Sequence, residues 1–296
     1  SAGLRYEDVK SDFYENSIYQ SDESKHYRNL FPSLSLKGSV GKVHWGLGYH
    51  IQVARPYYEQ LKNEIHYGNR FTYLGGTPNL QPTYIHTAEM RAAYRDLQLS
   101  VGYNRYNDDI LFSIEQATSD PKITLIKFRN VEHRDEMTAS LVYSPGIGCW
   151  RPEWVASVQS QWFNIGYLDG TKNMNGITVG IRWNNSFQLP MGYIFRLNGT
   201  YTGKGVYQNS FTRPVSCFGV SIYKSFFNGR LDCTVEGNDL FHTVRDATTQ
   251  YDNKVKIYRE TQRNTQEVKL TVHYKFNLQK SKYKGTGAGL DEQQRL

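Results

Sequence analysis

The sequence has no long apolar run and is poor in cysteine and proline. Its 296 residues include 3 Cys and 9 Pro, and its mean hydropathy is −0.63. A transmembrane helix needs roughly 20 consecutive apolar residues, so the sequence predicts none. These values do not exclude a membrane protein built from strands, because such strands alternate apolar with polar residues and their connecting loops are polar.

The sequence also lacks a concentrated charge of one sign. It has 35 Lys and Arg against 28 Asp and Glu, a formal net charge of +7, and its basic residues are scattered. No arginine-rich helix and no aromatic ribonucleoprotein motif accompanies them. Nucleic acid is therefore not expected as a partner.

Three cysteines are too few for a disulfide framework. If residues 228–229 form the turn of a hairpin, Cys233 lies opposite Lys224. At about 3.4 Å per residue, the sulfur of Cys233 is then roughly 20 Å from that of Cys217, beyond the reach of a disulfide bond. We expect these two cysteines and Cys149 to be small core or lipid-facing residues.

The acids and histidines are not spaced for catalysis or metal binding. Asp232 and Glu236 share one face of a predicted strand at about 13 Å, too far apart for a glycosidase pair. His44 and His50 share a face at roughly 20 Å, so they do not bind one metal ion together. No glycine-rich phosphate loop opens a helix. We expect no catalytic residue, no metal site, no cofactor and no enzymatic activity.

What the sequence does contain is a period-two alternation of apolar and polar residues from end to end. Residues 43–53 carry large apolar side chains at odd positions and glycine or polar residues at even positions, and residues 268–276 alternate in the same way. About twelve strands are predicted from this pattern. They lie near residues 3–18, 31–40, 43–54, 85–94, 97–107, 134–144, 153–166, 175–189, 193–203, 214–227, 230–241 and 264–276.

The predicted connections alternate between short and long. The short ones are residues 41–42, 95–96, 146–152, 190–192 and 228–229. The long polar ones are residues 19–30, 55–84, 108–133, 167–174, 204–213 and 242–263. Short periplasmic turns at one rim and long extracellular loops at the other are typical of an outer-membrane barrel. The predicted fold class is therefore all-β, an antiparallel transmembrane β-barrel.

Two further features bear on this choice. The polar face also suits the outer face of a soluble β-sandwich, so that alternative stays open; it carries Arg182, Arg196, Lys269 and His273. Aromatic residues near strand ends predict girdles at a bilayer interface, although cross-strand packing in a soluble sheet would use them too. They are Tyr49, Tyr94, Tyr103, Trp154, Trp162, Tyr201, Phe226 and Tyr274.

The long segment 55–84 carries two specific motifs, RPYYEQL at residues 55–61 and YLGGTPNLQP at residues 73–82. Both resemble motifs of the outer membrane β-barrel family of Bacteroidetes, a group similar to TonB-dependent receptors. The chain departs from the family at residues 62–63, where the family has an Asn-Pro pair, and at Thr77, where it has Asn. These departures concern loop conformation. Supporting matches are AGLRYE at 2–7, FRN at 128–130, NDLF at 238–241 and KYKGTGAGL at 282–290.

The resemblance implies a longer protein with an N-terminal domain, a plug and a barrel of about 22 strands. This chain would supply the C-terminal part, about twelve strands. Residues 1–277 are predicted to form barrel and residues 278–296 a flexible periplasmic tail. No signal peptide opens the chain, so we expect a fragment whose plug lies upstream of Ser1.

The implied function is that of a receptor or transporter in the bacterial outer membrane, taking up a scarce solute through TonB-dependent transport. The implied partners are membrane lipid, the upstream plug, the TonB complex and an unknown small solute, glycan or peptide. A structural or adhesive barrel and a soluble β-sandwich binding module are the alternatives. Arg55 has a second interpretation as a loop brace bonded to carbonyls or to Glu59. The candidate ligand contacts in the extracellular loop are Arg55, Tyr57, Tyr58, Tyr73 and Asn79.

Overall fold

A computed structural model describes residues 1–15, 17–117, 120 and 122–276, most of which lie in strands. The predicted tail, residues 278–296, lies outside the described residues. Within the described ranges no helix is long and apolar enough to cross a membrane. A 3₁₀ turn spans Pro190–Gly192, and the other elements are β1 (Ala2–Glu15), β2 (Ile18–Val40), β3 (Val43–Ala54), α1 (Tyr58–Leu61), β4 (Ile65–Asn69), β5 (Thr72–Gly75), β6 (Thr83–Tyr94), β7 (Leu97–Gln116), β8 (Thr124–Tyr143), β9 (Trp150–Trp162), β10 (Asn164–Tyr167), β11 (Gly170–Asn173), β12 (Gly176–Leu189), β13 (Tyr193–Thr202), β14 (Gly205–Tyr207), β15 (Ser210–Thr212), β16 (Val215–Phe226), β17 (Leu231–Asn238), β18 (Arg245–Asp252), β19 (Val255–Gln262) and β20 (Glu267–Tyr274).

Twelve of these strands form one continuous antiparallel path in the described part of the chain, in the order β1-β2-β3-β6-β7-β8-β9-β12-β13-β16-β17-β20. Each of them overlaps one of the twelve strands predicted from the sequence, although several extend further. A single path is not the pair of packed sheets that a β-sandwich needs, so that alternative is wrong. β1 and β20 end the path without pairing with each other, which leaves the sheet open among the described residues.

The predicted long loops contain more strand than the sequence indicated. Residues 19–30 are not a loop, because β2 runs through them and pairs with β1. Residues 108–133 mostly extend β7 and β8. The other long connections contain the hairpins β4–β5, β10–β11, β14–β15 and β18–β19. Backbone pairing does not require apolar side chains, which is why the polar composition of these segments was misleading. We call this end of the sheet the long-hairpin end and the opposite end the short-turn end.

Strand pairing separates an apolar face of the sheet from a polar face. Leu47 lies opposite both Leu36 and Met90. The next residues along those two strands, Lys37 and Arg91, therefore project from the other face. The large side chains of the apolar face stay on the protein surface, and Leu47 is 46% exposed. A whole face of exposed apolar side chains fits contact with lipid, as the alternation predicts.

The three cysteines are free. The predicted pairing of Cys233 with Lys224 is confirmed, and Cys233 also lies opposite Val272 on the apolar face. Cys217 lies opposite Thr200 on the polar face. Its prediction as a core or lipid-facing residue is wrong, because β16 places its odd-numbered residues on that face. Cys149 is exposed in the turn before β9.

The buried apolar core lies at the long-hairpin end rather than within the wall of the sheet. It draws on four hairpins, β7–β8, β10–β11, β14–β15 and β18–β19, and on the residues that flank them. Burial of each large apolar side chain contributes about 1.5–3 kcal/mol, so the core holds these hairpins against one another. Its residues are Leu111, Val131, Phe163, Ile165, Met174 and Val206, with Phe211 and Tyr251 packed against them.

Candidate functional site

The predicted ligand residue Arg55 is engaged within the protein. Its Nη2 atom lies 2.6 Å from Oε2 of Glu7, and Nη1 of Arg5 lies 2.7 Å from Oε1 of the same carboxylate. Glu7 thus ties β1 to the chain that leaves β3. Glu59, the other acid considered for Arg55, pairs with Lys62 at 2.8 Å. The geometry favours Arg55 as a brace over Arg55 as a ligand contact.

Tyr57 and Tyr58 lie at the start of α1 with their side chains in solvent. Their exposed fractions are 78% and 72%. Gln60 fixes the turn beneath them, since its side-chain carbonyl accepts a hydrogen bond from Tyr57 N at 2.8 Å and its backbone N–H donates to Tyr57 O at 2.9 Å. Two exposed rings on a fixed backbone suit contact with a solute or a partner.

Tyr73 and Asn79 lie on different parts of the same long segment. Tyr73 belongs to β5, where its ring packs against Tyr67 with the centroids 5.9 Å apart. Asn79 is exposed. The backbone N–H of Thr77 donates to the carbonyl of Gln60 at 2.6 Å and holds the Asn79 region beside α1. The structure therefore brings Asn79 towards the two tyrosines of α1 and places Tyr73 on a separate hairpin.

A buried ion cluster at the long-hairpin end was not predicted from the sequence. Arg134 Nε lies 2.6 Å from Asp109 Oδ2, and Arg134 Nη1 lies 2.8 Å from Glu136 Oε2, with side-chain exposures of 3%, 8% and 9%. The guanidinium also stacks over the ring of Tyr106 at 4.0 Å. Burial raises the pKa of Asp109, although the guanidinium of Arg134 acts in the opposite direction.

The backbone at Asp108 explains why the alternation did not reveal this cluster. Asp108 has a φ of 55°, a left-handed conformation that is uncommon outside glycine. Beyond it the alternation changes phase: Asp109 and Leu111 are buried, while Phe112 is 49% exposed. The alternation pattern did not predict this change of phase. A left-handed backbone is usually signalled in a sequence by glycine, and residue 108 is an aspartate.

A second buried contact joins β18 to β7 and β8. The carboxylate of Asp252 is fully buried, accepts a hydrogen bond from Ile114 N at 2.8 Å, and pairs with Arg129 Nη2 at 2.6 Å. Because a buried carboxylate is costly without partners, displacement of β18 from the long hairpin would carry the cost of an unpaired buried charge. The residues involved are more than a hundred positions apart, so no sequence motif contains them both.

Aromatic rings surround the ammonium group of Lys172 on β11. Its Nζ atom lies 4.1 Å from the ring centroid of Tyr251, 5.7 Å from that of Phe211 and 5.8 Å from that of Tyr167. Cation–π contacts of this kind contribute about 0.5–2 kcal/mol. Together with the apolar core and the two ion pairs, they make the long hairpins one packed unit above the sheet.

The polar face carries paired charges rather than free acids. Asp232 Oδ2 lies 2.8 Å from Lys275 Nζ, and Glu236 Oε1 lies 3.0 Å from Lys269 Nζ. Among the described residues, no three His, Cys, Asp or Glu side chains are grouped to hold a metal ion. The polar face thus offers hydroxyl, amide and neutralised ionic groups, which suits hydrogen bonding to a polar solute or to another part of the protein.

The chain matches the model of a known protein family. That family is described as outer membrane protein beta-barrel family, and the match covers residues 1–274. It includes all twelve strands of the main sheet and the long hairpins. No curated protein shows significant sequence similarity to the chain.

Solved receptor structures share this fold. The siderophore receptor PirA from Pseudomonas aeruginosa is 14% identical, with a TM-score of 0.53 over 88% of this chain and 48% of the receptor. The ferric enterobactin receptor PfeA from the same organism, solved in complex with BCV-L6, is 15% identical, with a TM-score of 0.51 over 74% of this chain and 36% of that one. This chain therefore spans about half the length of the first receptor, where the match covers 48%. At these identities the likeness concerns the fold alone.

Proposed function

Because this chain belongs to the outer membrane protein β-barrel family, we propose that it forms the C-terminal part of the barrel of a receptor that imports a scarce solute. The outer membrane is its location. In this proposal a plug elsewhere in the same polypeptide closes the lumen, and the TonB complex supplies the energy. Nothing in the described residues identifies the solute, which is a small molecule, a glycan or a peptide.

The open sheet is the observation that carries the proposal. β1 and β20 lie at its two ends and do not pair with each other in the described part of the chain. Unpaired strand edges are not tolerated in lipid, so the barrel needs further strands between these edges. A closed barrel with about 22 strands has a lumen wide enough to hold a plug. A lumen of that width favours a plugged receptor over a small, side-chain-filled barrel.

The packed long hairpins support a receptor whose extracellular opening has a fixed shape before the solute binds. Their apolar core, the Arg134 cluster and the pair of Asp252 with Arg129 hold them in one arrangement. We place the first solute contacts on the exposed rings of Tyr57 and Tyr58, with Tyr73 and Asn79 as further contacts on the same segment.

A receptor role also accounts for the acids of the polar face. Asp232 and Glu236 are neutralised by lysines, so neither resembles a free general acid or base. We therefore propose binding and transport rather than catalysis. Paired charges on a lumen wall are suited to hydrogen bonds with a plug.

Growth of cells that contain the full-length protein tests the proposal. Strains that lack this protein, TonB or both are compared on ferric chelates, glycans and peptides, each supplied as the limiting nutrient. We expect one nutrient class on which both single deletions grow equally poorly and the double deletion grows no worse. Normal growth of the strain without this protein on every nutrient would contradict uptake. If loss of this protein reduces growth further in a strain that already lacks TonB, its role is independent of TonB, which would favour a structural or adhesive barrel.

A further inference from the structure

A cavity of about 440 Å³ lies at the long-hairpin end of the apolar face, between β13, β16 and the segment that follows β17. Tyr201 projects into the apolar face, because it lies opposite Ile181. Phe241 packs against Phe218 of the same face with the ring centroids 5.6 Å apart, and it remains 70% exposed. The cavity therefore opens towards the surrounding membrane rather than into the lumen.

A cationic side chain without an ion-pair partner lies at this cavity. Arg245 is exposed and forms no ion pair with any described residue. Asp246, its neighbour, projects from the opposite face of β18. His242 also lines the cavity, and its Nε2 atom lies 2.9 Å from the side-chain amide nitrogen of Gln262. The Nδ1 atom of His242 is shielded from solvent, so this ring forms part of the cavity wall and does not serve as a donor to a ligand.

The part of the cavity wall formed by residues 241–243 is fixed. The buried carboxylate of Asp239 accepts hydrogen bonds from Thr243 N at 2.8 Å and from Thr265 Oγ1 at 2.6 Å. The hydroxyl of Thr243 in turn donates to the carbonyl of Ser216 on β16 at 2.8 Å. The positions of Phe241 and His242 between these anchors are thus set before any ligand arrives.

We propose that this cavity binds one phosphate-bearing lipid of the outer leaflet. The rings of Tyr201 and Phe241 contact its apolar part, and the guanidinium of Arg245 donates hydrogen bonds to a phosphate. The position of the cavity along the strands supports this ligand. The cavity lies at the edge of the apolar face, where lipid headgroups contact the protein. Cationic side chains beside apolar walls are the groups that bind anionic lipid heads. A free inorganic anion has no apolar part to contact the aromatic walls.

Binding of purified lipid A by the full-length protein tests the proposal. The protein is exchanged into detergent micelles that contain either diphosphorylated lipid A or its phosphate-free counterpart, and native mass spectrometry counts the lipids retained. Arg245→Gln removes the charge at the cavity. Arg70→Gln is the matched control, because Arg70 is also exposed on a long hairpin but does not line the cavity. Heat-modifiability of each variant confirms that the barrel is assembled.

We expect the unaltered protein and Arg70→Gln to retain one diphosphorylated lipid A, and Arg245→Gln to retain about tenfold less, the usual effect of losing a charged hydrogen bond. Phosphate-free lipid A should be retained weakly by all three. Equal retention by Arg245→Gln would overturn the proposal. Complete displacement of the lipid by millimolar inorganic phosphate would also overturn it, since the site would then be specific for a small anion.

Discussion

The side chain of Asn130 forms two hydrogen bonds with the main chain of Gln81: its carbonyl accepts from Gln81 N at 2.8 Å and its amide donates to Gln81 O at 2.9 Å. The amide also donates to the carbonyl of Asp108 at 2.7 Å. Two motifs that the sequence shows separately, YLGGTPNLQP and FRN, are thus parts of one joint. The joint docks segment 55–84 on the β7–β8 hairpin and so positions the exposed tyrosines of α1.

Replacement of Asn130 should loosen segment 55–84. Asn130→Ala removes three hydrogen bonds to the main chain and should reduce the local stability of the segment by about 1–3 kcal/mol. Trypsin should then cleave after Lys62 and Arg70 about tenfold faster in the folded full-length protein. Asn264→Ala, at an exposed loop position, is the matched control. Cleavage at the same rate in both variants would show that the joint does not hold the segment.

Removal of the Arg134 charge should be strongly destabilising. Arg134→Gln leaves two carboxylates buried without their cation, a change that costs about 3–5 kcal/mol in comparable sites. Arg105→Gln, whose side chain is 48% exposed, should have little effect. The measurement is the denaturant midpoint of the full-length protein in micelles. Adding Asp109→Asn to Arg134→Gln should restore part of the loss, and no restoration would contradict a charge-based cause.

Low pH should open the segment that follows β17. Burial tends to raise the pKa of Asp239, but hydrogen bonds from Thr265, Thr243 and Val244 bring it below its usual value. A lowered pKa in the folded state contributes stability that is present above the unfolded value and is lost as pH falls through the folded value. Amide hydrogen exchange of residues 240–246, corrected for its intrinsic pH dependence, should accelerate below about pH 4.

The control for this pH effect is the variant Asp239→Asn, which does not titrate. Its segment should exchange fast at every pH, with no transition near the acid range. Asp246→Asn, at an exposed acid three residues beyond Thr243, should behave like the unaltered protein. A transition that survives in Asp239→Asn would assign the effect to another group.

The two faces of β20 should respond differently to a new charge. Val272 lies opposite Cys233 on the apolar face, and Thr271 lies opposite Thr234 on the polar face. A lysine on the lipid-facing side near the bilayer midplane costs about 2–4 kcal/mol, whereas a lumen position costs much less. Val272→Lys should therefore reduce surface levels and heat-modifiability of the full-length protein far more than Thr271→Lys. Equal tolerance of both lysines would mean that lipid does not cover this face of β20.

The sequence by itself determined which twelve segments form the main sheet and, for most of them, which side chains share a face. Alternation is a local property, because successive side chains of a strand point to opposite sides, and a short turn fixes which residues pair across it. The prediction that Cys233 lies opposite Lys224 needed only the position of one turn, and it is confirmed. The prediction that the odd residues of segment 43–53 form the apolar face rested on the same rule.

Only the tertiary structure decided how the long connections are arranged. The pair of Asp252 with Arg129 and the joint of Asn130 with Gln81 link residues whose separation along the chain hides their proximity. The left-handed backbone at Asp108 reverses the alternation of side chains between the two faces of β7, and no glycine in the sequence indicates it. These features depend on which hairpins pack against one another, and that packing follows from side-chain contacts between distant segments rather than from any local pattern.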